Sequence, residues 1–99
     1  MKKNTVTPET ASDLADFFGA LSDQTRIRII SALVEGEIGV GKLVERIGLT
    51  KSAVSHQLRG LRDKRIIRTR KQGRNVFVSL DDEHVIELFK RGLDHVLHG

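Results

Sequence analysis

Cysteine is absent from this chain of 99 residues, and that absence excludes disulfides, thiolate metal sites and thiol redox sensing together. It fits a reducing compartment, and a cytoplasmic location is expected. Proline occurs once, at Pro8, where it can open a helix. No apolar run follows the positively charged start Met1-Lys2-Lys3-Asn4-Thr5, so no signal peptide is read there. No internal repeat or low-complexity stretch is present. A composition 38% hydrophobic and 30% charged argues against disorder and against a membrane span. The length predicts a single domain over residues 1–99, with a core that is adequate but not generous.

Acids are nearly absent from one quarter of the chain. Between Lys51 and Arg74 lie nine of the 17 basic residues against one acid, Asp63, a local charge of +8 in a chain whose net charge is +4. The rest is therefore acidic on balance. Such a block is what a phosphate-binding surface requires, although charge alone equally describes a well-solvated face.

Apolar spacing predicts the elements. Thr7 and Pro8 open a helix striped by Leu14, Phe17, Phe18 and Leu21. Asp23 restarts the pattern with Ile27, Ile30, Leu33 and Val34, ending near Gly36. A short third helix runs from Val40 to Ile47, with Leu43, Val44 and Ile47 inward, and Gly48 ends it. Thr50 caps a fourth helix from Lys51 to Lys64 across a short glycine-containing link, the turn of a helix-turn-helix. Two strand-like runs, Ile66–Arg70 and Asn75–Leu80, joined by Lys71-Gln72-Gly73-Arg74, predict a hairpin. Asp81 or Asp82 then caps a last helix. The fold expected is mainly α with a β-hairpin: a winged helix-turn-helix with an added terminal helix.

On the fourth helix, Val54, Leu58 and Leu61 fall within about 60° of one another and face the core. The opposite face carries Ser52, Ser55, His56 and Arg59, with Lys51 at the start. These groups donate to and accept from base edges and phosphates, and the coincidence of helix-turn-helix, basic block and basic hairpin favours DNA over bare solvent. Arg68, Arg70, Lys71 and Arg74 on the hairpin would flank the duplex and add affinity more than sequence choice.

The run Asp23-Gln24-Thr25-Arg26-Ile27-Arg28-Ile29, the run Ser52-Ala53-Val54-Ser55-His56-Gln57-Leu58 and the hairpin resemble the ArsR/SmtB family of winged-helix metal-sensing repressors. The resemblance extends from about Leu14 to His98. It implies a homodimer built from the first and last helices, and an inverted-repeat operator over the protein's own promoter and that of a transport or detoxification gene. It also implies operator contacts at Lys51, Ser52, Ser55 and His56.

Three of the four histidines lie in the last helix, in the pattern Asp82-x-His84-x10-His95-x2-His98. His95 and His98, three apart, share a helix face. His84 and His95 point nearly the same way but are separated by about 16.5 Å along the axis, against zinc–nitrogen bonds of about 2 Å. One straight helix cannot close this site; two antiparallel copies can, with Asp82 and His84 of one subunit meeting His95 and His98 of the other. Taken alone, the same residues also read as an N-cap and as cations at a helix C-terminus. The resemblance favours the metal, because the family's terminal-helix site uses this spacing. Three imidazoles and one carboxylate suit Zn²⁺, with Co²⁺ as a surrogate. Thiol-using members carry cysteines in the third helix, where this chain reads Glu37-Ile38-Gly39-Val40-Gly41-Lys42-Leu43, which speaks against arsenic or cadmium. The expectation is a repressor, not an enzyme, whose apo dimer holds operator DNA and releases it on binding zinc. In this family a liganding histidine reaches a partner near the end of the reading helix, here around Arg65. No membrane and no small organic substrate is expected. The rivals are a ligand-free architectural DNA-binding module and, less favoured, a zinc hydrolase, for which four protein ligands leave no open position.

Overall fold

The computed structural model describes residues 6–99; the start Met1–Thr5 lies outside the described residues. Eight elements follow in order: α1 (Pro8–Leu21), α2 (Gln24–Leu33), β1 (Ile38–Gly39), α3 (Val40–Ile47), α4 (Lys51–Asp63), β2 (Ile67–Gln72), β3 (Asn75–Leu80) and α5 (Glu83–His98). Side-chain caps start four of the five helices. Thr7, Asp23, Thr50 and Asp82 each hold an extended backbone and accept from an amide two or three residues on, satisfying donors that helix geometry leaves orphaned. Gly48, at φ 78°, ends α3 in a left-handed turn, a conformation that glycine adopts without strain.

The core is built from one face of each element: Ile29, Ile30 and Leu33 of α2, Leu43 and Ile47 of α3, Val54, Leu58 and Leu61 of α4, with Ile66, Ile67, Val78 and Val85 closing it. No polar residue is buried among the described residues. The α4 stripe is the one its spacing predicts. Val44, expected inward, is only half-buried, and the α2 stripe is split, because Ile27 is 41% exposed while Ile30 is buried.

The sheet departs from the sequence reading in two ways. It has three strands, in the order β1-β3-β2, both pairs antiparallel. The added strand, β1, pairs Ile38 with Val78 and Gly39 with Phe77; two residues are too few to show an alternation. The hairpin is also longer than read. Gln72 pairs with Asn75, leaving a two-residue turn, Gly73-Arg74, whose first position has φ 63°. That is where a type II′ hairpin turn requires glycine. Ile66 lies before the strand, its amide donating to the Leu61 carbonyl.

Arg65 is the one non-glycine residue at positive φ among those described, at 60°. A left-handed L-residue is strained by roughly 1–2 kcal/mol, and glycine at such a site loses part of that gain to its freer unfolded chain. Arg65→Gly should therefore raise unfolding stability by up to about 1 kcal/mol in urea titration. A loss of stability would mean that the arginine side chain outweighs the strain.

Candidate functional site

The second helix of the helix-turn-helix, α4, presents Lys51, Ser52, His56 and Arg59 as exposed side chains and Ser55 as a half-buried one. The anchoring of Val54, Leu58 and Leu61 in the core sets this face. A second anchor comes from α2. Arg26 Nε donates to Gln57 Oε1 at 2.8 Å, and Nη1 donates to the Ala20 carbonyl at 3.1 Å. The guanidinium thereby ties the end of α1 to the flank of α4. Gly60 makes room for it: a Cβ there would stand 2.9 Å from Arg26 Nη2.

Between α3, α4 and the hairpin runs an open cleft of about 740 Å³. Lys42, Lys51, Arg59, Arg62 and Arg74 line it, with no acid among the lining residues. A concave surface of one sign concentrates polyanions. Lys42 and Arg62 were missed by the sequence reading. Arg62 continues the Lys51–Ser55–Arg59 stripe at helical spacing and was legible there, whereas Lys42 reaches the cleft only through the packing of α3 against α4.

Cross-strand pairing sorts the wing's cations onto two faces. Ile67, Thr69 and Lys71 share the face of buried Val78; Arg68, Arg70 and Gln72 share that of Ser79 and Phe77. Arg68 donates to Ser79 Oγ at 3.2 Å and to Asp81 Oδ1 at 3.3 Å. Arg70 is engaged more fully: Nε and Nη2 donate to the two carboxylate oxygens of Glu37 at 2.8 Å each, and Nη1 donates to Gln72 Oε1 at 3.0 Å. Its guanidinium lies 4.6 Å from the Phe77 ring centroid. The hydrogen bonds from Arg70 hold the Glu37 carboxyl below the usual glutamate range, and Glu37 in return raises Arg70. A depressed carboxyl contributes stability that is complete above its ordinary pKa and is lost only as pH falls below it. The pair is therefore intact at neutral pH. Lys71 and Arg74 are exposed and make no ion pair among the described residues.

The four metal-ligand candidates lie in two pairs at opposite ends of α5. Asp82 Oδ1 accepts from the His84 amide at 2.8 Å and faces His84 Nδ1 at 3.1 Å, both side chains reaching solvent. His95 and His98 stand exposed in the last turn. Among the described residues of one chain, no three histidine, aspartate or glutamate side chains come together as a metal site. The donor set fits zinc in kind; within one chain the pairs do not meet.

Alongside, α5 buries one residue, Val85, in its own chain. Its Leu88, Phe89, Leu93 and Val96 join Phe18 of α1 and Ile27 of α2 in an open groove of about 480 Å³, almost without polar surface. No helix of the described residues is long and apolar enough to cross a membrane.

The model of the bacterial regulatory protein family arsR matches residues 23–69, from the α2 cap through α4 into the wing. A transcriptional repressor SmtB homolog of Synechocystis sp. is 44% identical over 88 residues, covering 89% of this chain and 67% of that protein. A cadmium resistance transcriptional regulatory protein, a CadC homolog of Staphylococcus aureus, is 38% identical over 94 residues, covering 94% of this chain and 78% of its own length. Among solved structures, the antimony-specific transcriptional repressor AntR superposes with a TM-score of 0.87 at 30% identity, over 97% of this chain and 87% of that one. These are winged-helix regulators of transcription and not enzymes. With this helix-turn-helix, this wing and these relatives, the chain belongs to the arsR family of bacterial regulatory proteins, the ArsR/SmtB group of repressors.

Proposed function

We propose that this protein is a zinc-responsive transcriptional repressor. Its metal-free homodimer binds an inverted-repeat operator, and zinc held between the terminal helices releases it, so that metal efflux or resistance genes are expressed. The observation that carries the reading is α5 itself: two ligand pairs at opposite ends of one helix, beside an apolar face that its own chain leaves open. A second copy in antiparallel register covers that face, and brings Asp82 and His84 to the partner's His95 and His98.

The chain's residues divide the work. Lys51, Ser52, Ser55, His56 and Arg59 face base edges and phosphates, while Lys71 and Arg74 at the wing tip meet the flanking backbone. Two such helices in a two-fold dimer suit successive major grooves. Zinc, when bound, supplies a bridge between subunits. The helices it joins are packed against the rest of the fold: Val85 is buried in the common core with Val78 of β3, so the angle between the terminal helices is passed to the wing and α4. At the end of α4 the Arg65 carbonyl accepts none of the backbone hydrogen bonds outside helices and strands among the described residues. A carbonyl in this place could accept the second N–H of a liganding histidine, the partner that the family resemblance puts around Arg65. A coupling of about 1–3 kcal/mol suffices, and operator DNA must weaken zinc binding by the same factor.

The donor chemistry chooses the metal. Relatives are named for cadmium and antimony, soft ions that favour thiolates, and this chain has no cysteine. Nitrogen and carboxylate donors suit Zn²⁺ and Co²⁺. Fluorescence anisotropy of a labelled operator against buffered metals tests the reading: zinc and cobalt should release the DNA, with one ion bound per protomer. DNA binding that no metal alters would select the architectural module instead.

A further inference from the structure

Arg70 is the most fully engaged cation on the wing, and its partners place it at a mechanical junction. Glu37 immediately precedes β1, and β1 runs directly into α3 through the N-cap Gly39. In the sheet order β1-β3-β2, Arg70 reaches from one outer strand across the central one, over the Phe77 ring, to Glu37 on the far side. The rung is also the last three-stranded one, since Gly39 pairs with Phe77 and Phe77 with Arg70. Beyond it residues 71–76 project as a bare two-stranded ribbon, and such ribbons hold their shape poorly alone.

We propose that Glu37, Arg70 and Phe77 form a clamp that fixes the angle of the projecting wing against α3, and that Arg70 serves operator binding by positioning Lys71 and Arg74, not by touching a phosphate. A bidentate, stacked guanidinium is the form in which arginine gives direction as well as charge. To reach a phosphate, Arg70 would have to abandon both carboxylate bonds and the ring. Glu37 thereby becomes an acid that strengthens binding to a polyanion. The inference rests on the DNA-binding reading above.

The two roles for Arg70 predict opposite signs. If Arg70 were a phosphate contact, Glu37→Ala would free it and remove a repulsive charge, so operator affinity would rise. As a clamp, Glu37→Ala lowers affinity, by about tenfold, with Arg70→Ala lowering it equally and the double variant no further. Arg70→Lys separates them again: a point charge serves a phosphate, but it cannot make the bidentate, stacked contact, so the clamp predicts that Lys behaves as Ala. A loosened wing still brings Lys71 and Arg74 to the same phosphates, but at the cost of ordering it. The slope of log affinity against log salt should therefore stay unchanged in Glu37→Ala and Arg70→Ala and flatten by about 0.9 in Lys71→Ala.

The experiment is operator anisotropy over a salt series with the metal-free protein, each variant checked by circular dichroism to be folded at the assay temperature. The swapped pair Glu37→Arg with Arg70→Glu guards against misfolding of the single variants and should recover most of the lost affinity. Tighter binding by Glu37→Ala, or a flattened slope in Arg70→Ala, overturns the clamp while leaving DNA binding in place. An unmodified protein that binds no operator removes the DNA-binding reading itself.

Discussion

A chain carrying Leu93→Glu should sediment at 11.1 kDa, rather than twice that, and should bind its operator about a hundredfold to ten thousandfold more weakly. Leu93 lies 45% exposed in the apolar groove between α1, α2 and α5, so the substitution disturbs little within the chain. In a dimer closed over that groove it does two things at once. It removes a side chain whose remaining exposed part, once covered, stabilises by about 1 kcal/mol, and it places an unpaired carboxylate where water is excluded. Symmetry doubles both effects. The loss of DNA affinity then follows from geometry: two half-sites held together gain about 10²–10⁴ over one without any new contact. The monomer should keep its helical circular dichroism and its weak, salt-sensitive attraction to any DNA. A variant that stays dimeric with full operator affinity would place the dimer interface elsewhere.

The second large effect is a recovery of function from two defective parts. On the proposed reading His84→Ala and His98→Ala homodimers each lack one of four ligands at both intersubunit sites, and each should bind zinc much more weakly than the unmodified protein. Mixing them makes a dimer in which one site lacks both histidines and the other is whole. That mixed dimer should bind one zinc with the affinity of the unmodified protein, and the operator should show partial release at metal concentrations that leave either parent bound. His84 and His95 are 11 residues apart in a continuous helix, about 16.5 Å at 1.5 Å per residue, too far for one chain to bring them to a single ion. If the mixture bound no better than its components, the ligands would not be shared across the two-fold axis.

Much of this was legible in the residue order, because helices announce themselves locally. The α4 stripe of Val54, Leu58 and Leu61 set which side faces inward and therefore which is left facing outward. The caps at Thr7, Thr50 and Asp82 are local signals as well. What escaped was whatever depends on residues far apart. Glu37 and Arg70 are 33 positions apart and Arg26 and Gln57 31; no periodicity brings such pairs together. Strand β1 was invisible because its two residues are strand only by virtue of Phe77 and Val78. The candidate metal ligands were legible as types and spacing, yet one chain does not assemble them; on the proposed reading their meeting place belongs to two copies.

If the terminal helices hold zinc as proposed, Asp82 bears on how such a sensor persists or disappears over generations. Its carboxylate caps α5 through the His84 amide, and loss of a cap costs about 0.5–2 kcal/mol with metal or without. Selection for a folded protein therefore protects that residue even where metal sensing is not needed. His95 and His98, exposed on the last turn with no partner side chain of their own among those described, enjoy no such protection. Mutation should thus erase responsiveness from the C-terminal end of the helix first, leaving a repressor that still folds, still pairs and still holds its operator. Two histidines regained there would restore the response to a helix start already in place. On the proposed reading, the half of the site bound up with folding is kept by the need for a stable helix, and the other half is where an inducer can be gained, retuned or lost.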